Sequence, residues 1–267
     1  DDPGGVAMMT NTSALIAALA DRDAITLGEL DAEAAYLTRV DRKYIVTRDA
    51  AARAVEALPA GTLALEIDGA RDFRYRSTYY DTPTLACYLA TARRRGKRYK
   101  VRSRTYAESG LSFLEVKTRR GAATIKRRVP WRPVPGQLDG AAANYVTTEL
   151  AGDGLAADGV LAPVLDVDYR RSTLVLPDAS ARVTLDVGLQ WRRHASVRAV
   201  QPGDLVIVET KCGARASDAD RLLWRLGHRP SSVSKYATGL AALTPDLPRN
   251  RWHRLLTTGP LADARLA

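Results

Sequence analysis

Charged residues recur at every second position in five short stretches of this chain. They are Arg39, Asp41 and Lys43; Lys100, Arg102 and Arg104; Glu115, Lys117 and Arg119; Lys126 and Arg128; and Glu209 and Lys211. Most are cations. An arginine offers a planar fork that grips a phosphate in two places, and a lysine offers a compact point charge. A linear phosphate chain needs several such donors from several strands. On spacing alone three readings stay open: a phosphate pocket, a solvated basic face, or a nucleic-acid groove. The carboxylates add a second kind of chemistry. Glu209 precedes Lys211 by two residues, Glu115 precedes Lys117 by two, and Asp186 follows Arg182 and Thr184 on the same strand face. A carboxylate among phosphate-binding cations suits Mg²⁺ or Mn²⁺, which take oxygen ligands from one or two carboxylates and from substrate phosphates. Glu209 is the leading metal candidate, with Glu115 and Asp186 behind it. The competing reading, strongest for Asp41 and Glu115, is a charge-balancing ion pair.

The period of two requires strands, because successive strand side chains point to opposite faces. The intervening positions are mostly apolar: Val40, Tyr99, Val101, Leu114, Val116, Ile125 and Val208. Arg42 and Arg127 break the pattern. Strands are expected at 35–46, 73–80, 98–106, 112–118, 124–129, 164–176, 181–191 and 205–211. Helices are expected at 12–34, 50–58, 84–94, 138–150, 217–226 and within 232–243, with Thr47 or Asp49 and Ser217 as caps. Glu108-Ser109-Gly110 turns one hairpin. The sum is α+β: an antiparallel eight-stranded β-barrel, closed or nearly so, with peripheral helices. Closure would place the charged faces inside. One domain over 12–245 is expected, preceded by a disordered start over 1–11 and followed by a basic tail over 246–267. The opening Asp1-Asp2-Pro3-Gly4-Gly5 reads as a vector-derived remnant ahead of Met8 or Met9.

Composition narrows the classes. Forty Lys and Arg against 30 Asp and Glu give a formal charge of +10, which favours anionic partners. No apolar run approaches a membrane span. Cys87 and Cys212 sit in no metal-binding spacing, and a cytoplasmic setting is the simplest expectation. His194, His228 and His253 are scattered, with no serine or cysteine constellation around them. The four tryptophans are not interleaved with the basic strands, so a base-stacking platform has little support and no nucleic-acid partner is expected.

The order of short motifs resembles the VTC-type polyphosphate polymerase domain, a branch of the triphosphate tunnel metalloenzymes (CYTH superfamily). The run is Arg39-Val40-Asp41-Arg42-Lys43-Tyr44, Ser77-Thr78-Tyr79-Tyr80-Asp81-Thr82, Lys100-Val101-Arg102-Ser103-Arg104-Thr105-Tyr106, Phe113-Leu114-Glu115-Val116-Lys117 and Lys126-Arg127-Arg128. It continues with Tyr169-Arg170-Arg171, Arg182-Val183-Thr184-Leu185-Asp186, Glu209-Thr210-Lys211 and Ser234-Lys235-Tyr236. The resemblance implies a tunnel of antiparallel strands and a metal at Glu209. It implies phosphate contacts from Lys43, Arg102, Arg104, Lys117, Lys126, Arg128, Arg171, Arg182 and Lys235. Arg39, Lys100 and Lys211 join them from the strand pattern. Lys43, Arg102, Arg104, Lys126, Arg182 and Lys235 are the candidates for the transfer step itself. The implied activity moves the γ-phosphoryl of ATP onto a growing inorganic polyphosphate chain, with Mn²⁺ or Mg²⁺. Pyrophosphate or triphosphate are further ligands. A tripolyphosphatase or nucleoside triphosphatase of the same fold, or a binding module without turnover, are the alternatives. Many tunnel enzymes open with Glu-x-Glu-x-Lys, where this chain has Arg39-x-Asp41-x-Lys43. That favours the polymerase branch and weakens a two-metal hydrolytic site. Coupling to a membrane would need a partner.

Overall fold

The structure is a computed structural model and describes residues 13–33, 40–121, 123–133, 136, 138–262 and 264–266. In chain order the elements are α1 (13–20), β1 (Asp23–Ile25), α2 (Leu27–Glu33), β2 (Val40–Thr47), α3 (Arg48–Glu56), β3 (Leu63–Leu65), β4 (Phe73–Asp81) and α4 (Ala86–Ala92). There follow β5 (Lys97–Tyr106), β6 (Ser112–Arg120), β7 (Ala123–Pro130), α5 (Gly140–Gly152), β8 (Ala162–Val175), β9 (Ala181–Arg193), β10 (Ala199–Gln201) and β11 (Leu205–Cys212). The last are α6 (Asp218–Arg225), α7 (Lys235–Leu243), α8 (His253–Thr257) and β12 (Arg265–Leu266). The fold is α+β, and its ladders are antiparallel apart from the short β1–β3 pair.

The chain forms two compact units. The first takes Asp1–Phe73, Tyr169–Leu189 and Pro202–Val233, and the second takes Arg74–Asp168, Gln190–Gln201 and Ser234–Ala267. In the first unit β11 lies between β2 and β9, with Val208 facing Tyr44 and Leu185 across the two ladders. Helices α1, α3 and α6 cover one face of these strands. Leu15, Leu19, Ala51, Val55, Leu222 and Leu223 pack there on Tyr44, Val46, Val183, Leu185, Val206 and Val208. The opposite strand face is left to the charged set. In the second unit β4, β5, β6 and β7 are neighbours in that order. Val101, Leu114 and Val116 are buried on one face, while Lys100, Arg102, Lys117 and Lys126 alternate onto the other.

The two residues that broke the alternation explain themselves here. Arg42 points to the helix side of β2 and meets Asp220 of α6 at 3.3 Å. Arg127 points to the helix side of β7, reaching Glu149 of α5 at 3.0 Å and Asp153 just beyond it at 2.7 Å. Asp220 is fully buried. It accepts from Tyr44 Oη at 2.7 Å, Thr210 Oγ1 at 2.6 Å, and the backbone N–H and hydroxyl of Ser217, both at 2.8 Å. The Ser217 hydroxyl in turn accepts from the Asp220 backbone, so one reciprocal cap fixes the start of α6.

Several expectations need correction. The helix expected over 12–34 is interrupted: 13–20 is helical, 23–25 is a strand pairing with β3, and only Leu27–Glu33 resumes the helix. Asp21-Arg22-Asp23 carries no apolar position that would hold a continuous helix to a core. The strands β1, β3, β10 and β12 are two or three residues long, too short for any period to register. The tail after Pro245 packs: Trp252 is wholly buried, Tyr88 Oη donates to Pro248 O at 3.0 Å, and α8 follows. Arg39 and residues 1–12 lie outside the described residues.

Candidate functional site

In the second unit a row of cations is built on β5, β6 and β7. The register places Arg102 opposite Glu115, and Glu115 opposite Arg128. It places Lys100 opposite Lys117, and Lys117 opposite Lys126. Glu115 is 2% exposed and forms the anionic centre of this row. Arg102 reaches its Oε2 at 2.6 Å and Lys126 Nζ its Oε1 at 2.5 Å. Burial acts to raise the Glu115 carboxyl, but Arg102, Arg104 and Lys126 win and hold it well below the usual carboxylate range. Burial, with Arg102 and Arg104 beside it, pushes Lys126 down to about 8 against the opposing pull of Glu115.

Neutral side chains orient these cations. Arg102 Nη1 donates to Tyr79 Oη at 2.9 Å, and Tyr79 stacks on Tyr236 at 5.1 Å between ring centroids. Burial alone would raise the Tyr79 phenol, yet the charges of Arg102 and Arg104 bring it below its ordinary value. Arg104, 6% exposed, lies over the Tyr75 ring at 5.2 Å. Lys100 Nζ donates to Ser234 Oγ at 2.9 Å; Ser234 also caps α7, of which Lys235 is the first residue. Tyr236 is in turn tied to the buried Asp81, which accepts from the backbone N–H groups of Thr82, Cys87 and Tyr88. Arg128 is exposed, with its guanidinium 4.8 Å from the centre of the Phe113 ring, and Lys117 is exposed as well.

In the first unit the charged face of β2, β11 and β9 gathers Lys43, Glu209, Lys211, Arg182, Thr184 and Asp186 through direct cross-strand pairs and their neighbours. Lys43 Nζ stands 3.1 Å from Glu209 Oε1, and Lys211 Nζ stands 3.8 Å from Oε2. Arg171 of β8 grips Asp186 with both ends of its fork, at 2.6 and 2.8 Å. Arg182 donates to the Leu30 carbonyl at 2.7 Å.

A family model, the VTC domain, matches residues 38–244. The chain belongs to the VTC domain family. Membership supports polyphosphate- or triphosphate-related activity at the level of the family, whose members typically use divalent metals. No curated protein matches the chain. Solved structures give looser likenesses. A Vibrio parahaemolyticus protein, provisionally assigned as an adenylate cyclase, is 12% identical with a TM-score of 0.42, over 76% of this chain and 98% of its own. A Pyrococcus horikoshii protein is 16% identical with a TM-score of 0.42, over the same shares.

The oxygen donors of this VTC domain differ in their fitness for a metal. Among the described residues no three His, Cys, Asp or Glu side chains group as a metal cage. Asp186 is fully buried under a bidentate arginine, and Glu115 is held by Arg102 and Lys126. Glu209 meets Lys43 and Lys211, and it faces Thr184 in the ladder, whose buried hydroxyl lacks a hydrogen-bond partner. One carboxylate beside one orphaned hydroxyl fits a cation that takes its remaining ligands from phosphate and water. Sequence reading passed over Ser77, Tyr79, Thr184, Ser234 and Tyr236 as functional positions. All five stand inside the ordered motifs as neutral residues, and a search for charge cannot see them.

Proposed function

We propose that this VTC domain is a polyphosphate polymerase of one tunnel-fold catalytic domain over 12–245, working on ATP and inorganic polyphosphate in the cytoplasm. What supports the reading is the row on β5, β6 and β7, where Arg102, Arg104, Lys117, Lys126 and Arg128 share one strand face around a single buried carboxylate. Like charges on facing strands cost roughly 0.2–1 kcal/mol per pair, a cost that a polyanion would remove. The closed eight-stranded tunnel belongs to the same proposal.

In this reading a terminal oxygen of the phosphate chain attacks the γ-phosphorus of ATP. The bond to the β–γ bridging oxygen breaks, and ADP leaves with that electron pair. No covalent enzyme intermediate is required, so the work is positioning and charge stabilisation. Arg102 and Arg104, oriented by Tyr79 and Ser77, hold the equatorial oxygens. Lys126 neutralises charge that develops during transfer, and Lys43, Arg171, Arg182, Lys211 and Lys235 hold further phosphates. Glu209, with Thr184 beside it, would hold the Mg²⁺ or Mn²⁺, which supplies charge neutralisation on phosphate oxygens. An ion pair at about 4 Å is worth about 1 kcal/mol in water and about 4 at an effective dielectric of about 20, so enclosure multiplies the effect.

Incubation with ATP and Mn²⁺ or Mg²⁺, with the products resolved by size, tests the proposal. Long acid-labile chains are the expected result, and orthophosphate alone would replace the polymerase by a tripolyphosphatase. Glu209→Gln is expected to abolish product while polyphosphate binding persists; unchanged turnover would remove Glu209 as the metal holder.

A further inference from the structure

A second group of arginines lies beyond the residues assigned above, at the far end of the same ladder. Arg98 shares strand parity with Lys100, Arg102 and Arg104, and its partner across the ladder is Arg119. The row from Arg104 to Arg98 therefore extends over about 20 Å at about 3.4 Å per residue. Arg251, after β11 and α7 in the chain, arrives at this end and donates to the Thr91 carbonyl at the last turn of α4 at 2.9 Å. Arg94 stands just past that helix. Among the described residues no carboxylate pairs with Arg94, Arg98, Arg119 or Arg251; the ion pairs of this unit are made elsewhere. The group is instead held by backbone carbonyls. Arg98 donates to Arg95 O at 2.5 Å and Arg119 to Gly121 O at 2.8 Å. The Arg251 Nε is buried and without a hydrogen-bond partner, an orphaned donor in a cluster of like charge. Burial lowers the affinity of Arg98 for its proton, and Arg119 and Arg251 lower it further. Burial acts the same way on Arg251, followed by Arg94 and Arg119.

We propose that Arg94, Arg98, Arg119 and Arg251 form an outer binding site for a long linear polyphosphate, separate from the residues that hold the reacting phosphates. The proposal rests on the polyphosphate reading above and adds to it a preference for chain length. Three observations select this ligand. The cluster continues the cationic row on β5 without a change of strand face. Its members carry no compensating anion of their own. The aromatic ring among them, Trp252, is fully buried, so no base could stack there, which disfavours single-stranded nucleic acid.

The test compares three probes on the full chain: inorganic polyphosphate of about a hundred units, tripolyphosphate, and a single-stranded RNA of matched charge. The variant is Arg94→Gln with Arg119→Gln, both exposed, so that folding is spared; thermal melting confirms it. Affinity of the variant for long polyphosphate is expected to fall about tenfold, while tripolyphosphate affinity and the first-turnover rate with ATP stay unchanged. Arg251→Gln, which also loses the Thr91 contact, is expected to show the same selectivity. Equal losses for long and short phosphates, or no loss for either, would overturn the outer site while leaving the polymerase reading standing. A loss confined to RNA would overturn it in favour of nucleic acid. Wild-type protein that binds neither phosphate would sink the function reading itself.

Discussion

Lys126 is a cation whose charge its surroundings control. Its ordinary value near 10.4 falls to about 8 in the folded protein, because burial and two arginines outweigh Glu115. A base depressed in this way opposes folding most below about 8, and the penalty fades as pH rises towards its unfolded value. Binding runs the other way: a polyanion favours the ammonium form, so phosphate affinity should fall as pH rises through about 8. Calorimetric titration with tripolyphosphate between about pH 7 and 9.5 measures this. Lys126→Arg should flatten the dependence, because a guanidinium keeps its proton throughout the range; an undiminished slope would assign the effect elsewhere. At this scale the sequence was informative about charge and silent about pairing. The alternating cations were legible because strand parity is a property of position alone. That Asp186 is closed by Arg171 and Glu115 by Arg102 and Lys126 depends on cross-strand register, which one sequence does not display.

The elements hold these side chains by contacts that need small residues as much as large ones. A β-carbon at Gly239, inside α7, would collide with Cδ1 of Trp191 and come within 2.6 Å of its Cγ and Nε1, and Trp191 is wholly buried. The ring therefore packs against the bare backbone of α7, and α7 begins at Ser234 and Lys235. Gly239→Ala should cost about 1–3 kcal/mol of stability through overpacking. It should also weaken phosphate binding more than a surface substitution of equal cost, since Ser234 orients Lys100. Urea unfolding gives the first quantity and calorimetry the second; a variant as stable as the parent would refute the close approach. The long amphipathic elements were readable in advance. Ser217 was readable as a cap and does cap the helix after it, which buries Leu222 and Leu223 while Leu226 at its end is exposed. The break at Asp21–Asp23 was not, because a three-residue strand is chosen by its partner β3 and not by its own pattern. Gly239 gave no local sign of its role either, since its reason lies 48 positions away in Trp191.

At the scale of the whole chain, a formal charge of +10 and a pI near 9.8 mean that any polyanion is drawn in from a distance. Exposed cations such as Lys117 and Arg128 are screened by salt, while the buried Arg102–Glu115 pair is screened far less. Association with long polyphosphate should therefore slow steeply as ionic strength rises from about 0.05 to 0.3 M, with dissociation changing much less. Stopped-flow binding separates the two rates. An association rate indifferent to salt would deny the long-range field a role. No helix among the described residues is long and apolar enough to cross a membrane.

The carboxylate of Glu115, enclosed by Arg102 and Lys126, would have a consequence for turnover under the proposed function. A ring of bare cations would grip a polyphosphate and be slow to let it go, because departure would leave only mutual repulsion behind. With a tethered anion in its midst the row would, under the proposed function, behave as an ion-exchange resin does: an outgoing phosphate would hand its place to the resident carboxylate. In that reading Glu115 would set a floor under the release rate, the protein carrying its own eluent.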